Sequence, residues 1–331
     1  MADVLKIENL HVSFDTYAGE VHAVRGVSLH VGEGEVLAIV GESGCGKSVT
    51  AQTIMKLNPM PPARIKEGSI DLCGEDIVAA NEKKMQDIRG RLVSMIFQDP
   101  MTCLNPTMKV GKQLTEAICQ HRKLSKDEAK KEAVRLLEMV QIPNAAERAE
   151  QYPHEFSGGM RQRAMIAMAM SCEPKLLIAD EPTTALDVTI QKQILKLMKD
   201  LRRELGTSII FITHDLGVVA EMADRVAVMY AGQIVEQASV YDLFQKPLHP
   251  YTEGLINSTI RLGDGRRRLP TIAGTVPPIS KMVAGCRFHP RCPYATPACR
   301  ESAPPVIEAE GRMVRCIRYA QEQKQEGGVH V

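Results

Sequence analysis

The sequence predicts an α/β fold in which a mainly parallel sheet is covered by helices on both faces. Three short segments, 36–40, 176–179 and 208–213, are almost wholly apolar, which is typical of strands buried on both sides. Segments with helical periodicity separate these strands along the chain. A glycine-rich loop follows the first strand, and acidic or histidine side chains follow the other two. We therefore expect polar groups from all three strands to meet at one edge of the sheet.

The chain opens with strand patterns of a different kind. Residues 5–14 alternate apolar and polar side chains, and residues 27–31 give a second short strand pattern. Such alternation is typical of antiparallel strands that pack one face on a core. We expect a small antiparallel sheet ahead of the glycine-rich loop.

The loop itself, residues 41–48, reads GESGCGKS and precedes a segment, 49–57, that can continue as a helix. Glycines let the backbone bend into a concave turn, and the first helical turn directs unpaired N–H groups into it. The pattern predicts a nucleotide polyphosphate, with Lys47 reaching the β- and γ-phosphates and the Ser48 hydroxyl holding Mg²⁺. The strand-to-helix context argues against the alternative, a glycine-rich turn with a surface lysine. The residues predicted to contact the nucleotide here are Gly41, Glu42, Ser43, Gly44, Cys45, Gly46, Lys47, Ser48 and Val49.

Two aromatic residues, Phe14 and Tyr17, lie close before this loop. Either could stack on an adenine ring, and Tyr17 is the candidate that we assign. The alternative is an aromatic side chain packed in a strand or a turn.

A mainly helical insertion is predicted at about residues 100–172. Ahead of it, the proline-rich residues 58–62 end any helix, and the short apolar strand at 92–97 is followed by Gln98. Inside it, residues 127–142 place apolar side chains on one helical face and Lys and Glu on the other. Strand patterns flank this region on both sides, so we expect it to decorate the sheet rather than to form an independent domain.

A second anion-binding element is predicted near the end of the insertion. Ser157 is placed as the N-cap of a helix at 161–172, and Gly158 and Gly159 follow it directly. A helix start that exposes glycine N–H groups and a serine hydroxyl can bind an anion. A plain N-cap is the alternative.

Candidate catalytic groups follow the next two strands. Asp180 can hold Mg²⁺ through water, and the adjacent Glu181 can accept a proton from a water that attacks the γ-phosphate. An amphipathic helix at 188–205 comes next, and the strand at 208–213 ends in His214. A histidine after a strand can be structural, but its place at the same sheet edge favours a function.

Composition limits the class of protein. The 331 residues are 44% hydrophobic and 24% charged, with a formal net charge of +1. This small charge argues against a nucleic-acid partner, which usually requires a basic excess. No apolar stretch reaches the roughly 18 residues of a membrane span, and the N-terminus lacks the pattern of a signal peptide. We expect a cytoplasmic chain that associates with a membrane only through partners.

Five of these elements, in this order, resemble the motifs of the ATP-binding-cassette (ABC) ATPase family. GESGCGKS resembles the Walker A loop, Gln98 the Q-loop glutamine, FSGGM at 156–160 the signature motif, LLIADE at 176–181 the Walker B segment and His214 the switch histidine. Residues 184–187 resemble the D-loop. The signature departs from the commonest form at Phe156 and Met160 but keeps the Ser-Gly-Gly core. The resemblance implies a P-loop NTPase (RecA-like) core with an antiparallel β subdomain and a helical subdomain, over residues 1–240.

The resemblance also implies the role of each residue. Lys47 and the loop amides bind the phosphates, while Ser48, Gln98 and Asp180 serve Mg²⁺. Gln98 senses metal and attacking water, Glu181 is the general base and His214 contacts the γ-phosphate. In this family Ser157, Gly158 and Gly159 complete the site of an opposing subunit. ATP binding then closes a dimer, and hydrolysis reopens it.

The remainder, residues 241–331, resembles the C-terminal extension of the D subunits of dipeptide and oligopeptide importers. The residues that carry this resemblance are 249–251 (HPY), 274–278 (GTVPP) and 285–294 (GCRFHPRCPY). It implies an ATPase subunit at the cytoplasmic face of the membrane, held there by two integral membrane permease subunits. The other implied partners are a second ATPase subunit, either homologous or identical, and an extracytoplasmic substrate-binding protein that acts through the permease.

Other activities stay open at this point. Importers of nickel, glutathione and other small solutes share the extension, so peptides are one of several candidate substrates. A soluble ABC protein of translation or DNA repair is the alternative class. The former usually has two cassettes in one chain and the latter a long coiled coil, and this sequence has neither pattern.

Four of the nine cysteines, Cys286, Cys292, Cys299 and Cys316, fall within the last 46 residues. Free thiols, a zinc site with His289 as a spare ligand and a [4Fe-4S] cluster are the three interpretations. Zinc sites usually have more closely spaced cysteine pairs. The resemblance to peptide importers, some of which carry such a cluster, favours iron–sulfur, with a structural role in the proline-rich extension.

Overall fold

The computed structural model describes residues 3–17, 19–99, 103–184, 186–259, 271–277 and 283–320. Ala185 of the predicted D-loop, Pro278 of the GTVPP motif and residues 321–331 of the predicted extension lie outside these ranges. The strands are β1 (Asp3–Thr16), β2 (Gly19–Gly32), β3 (Val36–Val40), β4 (Ala63–Leu72), β5 (Glu75–Asp76), β6 (Val93–Ile96), β7 (Leu176–Asp180), β8 (Ser208–Ile212), β9 (Arg225–Tyr230), β10 (Gln233–Ser239), β11 (Ile307–Ala309) and β12 (Arg312–Val314).

The helices follow the strands in the alternation that the sequence predicts. They are α1 (Lys47–Ile54), α2 (Glu82–Ile88), α3 (Val110–His121), α4 (Lys126–Met139), α5 (Ala145–Ala149), α6 (Gly158–Met170), α7 (Val188–Leu205), α8 (Leu216–Met222), α9 (Val240–Gln245), α10 (Pro250–Asn257) and α11 (Ala298–Glu301). Short 3-10 turns occupy Pro153–Glu155 and His289–Arg291.

A four-stranded antiparallel sheet with the order β2-β1-β4-β5 forms the first layer. Its two long strands, β1 and β2, pair along most of their length, with Leu5 opposite Val31 and Phe14 opposite Val21. The prediction of an antiparallel sheet ahead of the loop is confirmed. The inward side chains of this sheet share one apolar core with α1 and with one face of the larger sheet.

The larger sheet has eight strands in the order β11-β12-β10-β9-β3-β8-β7-β6. The pairs β9–β3, β3–β8, β8–β7 and β7–β6 are all parallel. Every residue of β3, β7 and β8 is buried, which agrees with the apolar runs that predicted these strands. Because parallel strands end at the same edge, the segments that follow β3, β6, β7 and β8 meet there. The predicted α/β fold is confirmed.

In the described residues between β6 and β7 there are four helices, α3 to α6, where the sequence predicts a mainly helical insertion. Ser125 caps α4, because its hydroxyl accepts from the Glu128 amide at 3.3 Å while Glu128 Oε2 accepts from the Ser125 amide at 2.8 Å. The helix ends at Met139, three residues before the predicted end. Gln141 has a positive φ of 60°, and a right-handed helix cannot continue through a residue in that conformation.

The residues beyond β10 fold back onto the larger sheet. β12 pairs with β10 in antiparallel fashion, and β11 extends the sheet by one more strand. A third apolar core, which includes Tyr230 at the end of β9, joins α10 and Phe288 to this sheet. The C-terminal segment is therefore packed against the end of the strand that neighbours β3.

Across the ranges given above, no helix combines the length and apolar character needed to cross a bilayer.

Candidate functional site

The glycine-rich loop leaves β3 and turns tightly before α1. Gly41, Gly44 and Gly46 have positive φ values of 154°, 75° and 105°. A Cβ on Gly41 would lie 2.1 Å from the Met229 carbonyl oxygen, and one on Gly46 would lie 2.8 Å from the Ala23 carbonyl oxygen. Both positions require glycine because the neighbouring backbone leaves no space.

Lys47, the first residue of α1, is 7% exposed and lies across the loop. Its Nζ donates to the carbonyl oxygens of Gly41 at 2.8 Å and Glu42 at 3.1 Å. The ammonium group is thereby held beside the glycine-rich backbone and the first helical turn. A cation and unpaired helix N–H groups in one place form a site for anions.

A cavity of about 400 Å³ opens at this loop. The residues that line it are Phe14, Ala23, Gly44, Gly46, Lys47, Ser48 and Val49. Tyr17, our candidate for adenine stacking, has a fully exposed side chain at the end of β1. Phe14 therefore contacts the cavity, whereas Tyr17 is not among the residues that line it, and adenine stacking by Tyr17 stays a prediction.

Ser48 and Asp180 form the predicted oxygen pair for a divalent cation. Asp180 ends β7 and is 6% exposed, and the Ser48 side chain is one of the groups that act on its pKa. Burial is the main reason that the pKa of Asp180 is raised, and the neighbouring Glu181 raises it further, while Ser48 and Lys47 oppose the rise. Hydroxyl and carboxylate oxygens are both ligands that Mg²⁺ accepts.

Glu181 is the centre of a hydrogen-bonded group that spans three loops. The Gln98 Nε2 donates to Glu181 Oε2 at 3.0 Å, and the Thr184 hydroxyl donates to the same oxygen at 2.9 Å. The His214 Nδ1 lies 3.3 Å from Glu181 Oε1. Three residues predicted for catalysis, Gln98, Glu181 and His214, thus meet at the carboxyl edge of the sheet. The sequence did not lead us to predict the hydrogen bond from Thr184 to Glu181. The place of Thr184, three residues after Glu181 in a turn, is a signal that could have indicated it.

The backbone of Glu181 also stands out. Its φ is 49°, in the left-handed region that non-glycine residues seldom adopt, and its amide donates to the Ile212 carbonyl oxygen at 2.9 Å. This bond to the last residue of β8 holds the strained residue in place. A strained backbone conformation persists only where the surrounding structure holds it in place, and such conformations occur most often at functional sites.

Ser157 caps α6, as predicted, and its hydroxyl accepts from the Met160 amide at 3.3 Å. The helix starts at Gly158 rather than at the predicted residue 161, because the serine cap allows helical geometry to begin directly after it. Ser157 and Gly158 are exposed, and a Cβ on Gly158 would meet no atom within 4 Å. This helix start is therefore available at the surface.

Of the four late cysteines, Cys286 and Cys299 are in direct contact, and the four, all within the described ranges, form no group that could hold a metal ion. All are free, partly buried thiols, and the Cys286 amide donates to the Cys299 carbonyl oxygen at 2.8 Å. Burial, assisted by Cys286 and Cys292, raises the pKa of Cys316 to about 11. The His289 Nδ1 lies 2.8 Å from the Cys286 carbonyl oxygen. Within the described part of the chain, no three His, Cys, Asp or Glu side chains are arranged to hold a metal ion.

Two residues beyond β10 contact the glycine-rich loop, and the sequence patterns did not indicate either contact. Tyr251 and Arg291 both bind Glu42, the second residue of the loop. The HPY and GCRFHPRCPY motifs that contain them were interpreted as marks of a C-terminal extension.

Known proteins share both regions of the chain. The family model described as "ABC transporter" matches residues 12–184, more than half of the chain. A second family, "Oligopeptide/dipeptide transporter, C-terminal region", matches residues 235–299. The oligopeptide transport ATP-binding protein OppD of Bacillus subtilis is 59% identical over 92% of this chain and 86% of its own length. The dipeptide transport ATP-binding protein DppD of the same organism is 53% identical over 99% of this chain and 98% of its own.

Solved structures give the same result for the fold. The ATP-binding cassette MJ0796, determined as a dimer bound to ADP and Pi in a post-hydrolysis state, aligns with a TM-score of 0.64 at 26% identity. The alignment covers 71% of this chain and 98% of that one. CbiO1 from Clostridium perfringens, part of an ABC transporter complex, aligns with the same TM-score at 29% identity over 74% of this chain and 92% of that one. The chain belongs to the ABC transporter ATPase family and carries the C-terminal region of oligopeptide and dipeptide transporters.

Proposed function

We propose that this chain is the ATP-hydrolysing subunit of a membrane importer and that it energises the uptake of di- and oligopeptides. The observation that carries the proposal is the position of Glu181. Its carboxylate is held by Gln98, Thr184 and His214 at the sheet edge that also presents the glycine-rich loop. Phosphoryl transfer depends mainly on positioning and charge stabilisation, and this arrangement supplies both.

ATP binds through its phosphates to the loop. Lys47 and the amides of residues 41–49 surround the β- and γ-phosphates, and Phe14 or Tyr17 stacks on the adenine. Ser48 and Asp180 would hold Mg²⁺, which would neutralise charge on the phosphates, and Gln98 would serve the metal and the attacking water. The support for these roles is the loop geometry and the nearness of Asp180 to Ser48 and Lys47, both of which act on its pKa.

Hydrolysis uses Glu181 as the general base. The carboxylate accepts a proton from the water as the water attacks the γ-phosphate. His214, on the other side of the carboxylate, contacts the γ-phosphate and orients the attack. The Thr184 hydroxyl supports the base because it donates to one of the two carboxylate oxygens.

Two ATPase subunits act together in this proposal. Ser157, Gly158 and Gly159 of each subunit complete the nucleotide site of the other, which agrees with the exposed helix start that they form. The partner is a homologous subunit or a second copy of this chain. Binding of two ATP molecules closes the pair, and hydrolysis opens it.

We assign residues 1–240 to the ATPase domain, with the helical subdomain at about 100–172, and residues 241–331 to the extension. Two integral membrane permease subunits hold the chain at the cytoplasmic face of the membrane, and a substrate-binding protein delivers the solute from outside. The match of residues 235–299 to a peptide-transporter region supports peptides as the solute. Nickel, glutathione and other small solutes are the alternatives within this class, and a non-transport ABC ATPase is the alternative class.

We further propose that Cys286, Cys292, Cys299 and Cys316 hold a [4Fe-4S] cluster, with Zn²⁺ as the alternative. The support is the chemistry of the donor set, because four cysteine thiols are the ligands that a [4Fe-4S] cluster takes and all four are partly buried in this one region. When bound, the cluster would cross-link a segment that has little core of its own. Iron and acid-labile sulfide analysis of anaerobically purified protein tests this. A colourless protein with stoichiometric zinc would instead identify a zinc site. A protein that contains neither iron nor zinc would show that the four thiols are free.

The importer function is tested by reconstitution. The chain is purified with its membrane subunits and its substrate-binding protein, and ATPase activity is measured with a panel of peptides, nickel chelates and glutathione. Stimulation by peptides supports the proposal, whereas stimulation by another solute alone changes the substrate. Failure of the chain to copurify with any integral membrane subunit would favour the non-transport class.

A further inference from the structure

Glu42, the second residue of the glycine-rich loop, is held at both its backbone and its side chain by residues of the C-terminal region. The Glu42 amide donates to the Tyr251 hydroxyl at 2.9 Å. The Arg291 Nη1 donates to both Oε1 and Oε2 of Glu42 at 3.0 Å. These contacts join residues that are 209 and 249 positions apart in the sequence.

Both holding groups are themselves firmly fixed. The Tyr251 ring is fully buried, and its centroid lies 4.7 Å from that of Tyr230 and 5.4 Å from that of Phe288. The Arg291 side chain is only 6% exposed. Its Nε donates to the Ala273 carbonyl oxygen at 3.0 Å, and its guanidinium lies 5.9 Å from the Tyr230 ring centroid. Neither group has the freedom of a surface side chain, so each can define where Glu42 lies.

The same residue connects these contacts to the phosphate-binding cation. The Glu42 carbonyl oxygen accepts from Lys47 Nζ at 3.1 Å, and the preceding carbonyl, that of Gly41, accepts from it at 2.8 Å. A shift of the Glu42 backbone would therefore change the position of Lys47. Glu42 therefore links the C-terminal region to the loop cation.

The ion pair between Arg291 and Glu42 also affects the charge of the loop. A carboxylate in a loop that binds a polyanion opposes binding, because like charges repel and the repulsion grows where water is excluded. Arg291 neutralises Glu42. Without Arg291, a partly buried carboxylate would remain unpaired in the loop.

We propose that Arg291 and Tyr251 are positioning residues of the nucleotide site and that the C-terminal region holds the glycine-rich loop in its phosphate-binding form. Arg291 acts through the Glu42 carboxylate, and Tyr251 acts through the Glu42 amide. The inference rests on the proposed assignment of loop 41–48 as the ATP site. It adds a function to a region that the sequence marks only as an extension.

The test measures binding of a fluorescent ATP analogue with Mg²⁺, together with kcat and KM for ATP hydrolysis, on the complete chain in its transporter complex. Arg291→Ala is expected to weaken nucleotide binding by about tenfold or more, because one partner of a buried ion pair is removed. The loss should appear mainly in KM. Arg291→Lys should retain part of the affinity, and Tyr251→Phe should weaken binding less than Arg291→Ala. Arg300→Ala is the matched control, because Arg300 is an exposed arginine of the same region.

The decisive comparison is the double variant Glu42→Gln/Arg291→Ala. If Arg291 acts through the Glu42 carboxylate, Glu42→Gln alone also weakens binding, and the double variant binds no worse than Arg291→Ala. If Glu42→Gln alone binds normally while the double variant binds as poorly as Arg291→Ala, the loss comes from a disturbed C-terminal region and the assignment is overturned. The assignment is also overturned if Arg291→Ala binds the nucleotide as well as Arg300→Ala does. Lys47→Ala, measured in parallel, separates the two proposals, because normal affinity of that variant would reject the ATP-site assignment itself.

Discussion

The amide nitrogen of Gln98 donates to Glu181 Oε2 across 3.0 Å and so joins the end of β6 to the end of β7. These residues are 83 positions apart in the sequence, and the helical insertion lies between them. A displacement of that insertion relative to β7 would change the distance between Gln98 and the proposed general base. Coupling between helical movement and catalysis can therefore begin at this hydrogen bond.

Glu181→Gln is expected to bind ATP normally and to lose turnover by at least about 100-fold, since general bases contribute 10²–10⁴-fold. The variant should also accumulate a closed, ATP-bound dimer. ATPase rates and light scattering with MgATP measure the two effects. Glu204→Gln, at an exposed glutamate near the end of α7, is the control. Hydrolysis by Glu181→Gln at the control rate would remove Glu181 from the catalytic role.

Lys47→Ala is expected to lose at least about tenfold in nucleotide affinity, because hydrogen bonds to charged groups are worth about 1.5–3 kcal/mol. Equilibrium binding of MgATP measures the change. Lys83→Ala, at an exposed lysine of α2, should bind as the unaltered chain does. Equal affinities for the two variants would contradict the assignment of Lys47 to the phosphates.

Thr184→Val removes the hydroxyl that donates to Glu181 Oε2 at 2.9 Å while it keeps a β-branched side chain of similar volume. We expect kcat to fall about fivefold with little change in KM, because one hydrogen bond of about 1 kcal/mol no longer orients the base. Thr184→Ser keeps a hydroxyl and should recover most of the rate. If Thr184→Ser is as slow as Thr184→Val, the effect comes from packing and not from the hydrogen bond.

His249 should make the protein less stable in mild acid. It is fully buried, and burial lowers its pKa from 6.5 to about 3. The unfolded chain binds a proton near pH 6.5, whereas the folded chain does not, so the contribution is fully present above that pH and is lost as the pH falls towards 3. The expected loss in the free energy of unfolding is about 2 kcal/mol between pH 7 and pH 5.

His249→Asn tests this contribution. Asparagine can still accept from the Tyr251 amide, which His249 Nδ1 caps at 3.0 Å, but it does not titrate. Denaturant unfolding at pH 7 and pH 5 should show a smaller decrease for the variant than for the unaltered chain. Parallel decreases in both proteins would assign the acid sensitivity to other groups.

Local patterns of apolar and polar residues in the sequence were sufficient to predict much of the fold. The strands β3 and β8 and the helix α7 lie where the apolar runs and the helical periodicity predict them. A parallel strand that is buried on both faces requires an apolar run, so its position can be recognised without knowledge of its neighbours. Helix ends were less accurate, as α4 and α6 show, because they depend on caps and on single residues with positive φ.

The glycine-rich loop and the sheet edge at which Asp180, Glu181 and His214 lie could be predicted from glycine positions and strand ends, because parallel strands place their carboxyl ends together. The family resemblance added Gln98. Which of these groups touch, and that Thr184 joins them, became clear from the tertiary structure. It alone placed Arg291 and Tyr251 on Glu42, since contacts between residues more than 200 positions apart leave no periodic trace in a sequence.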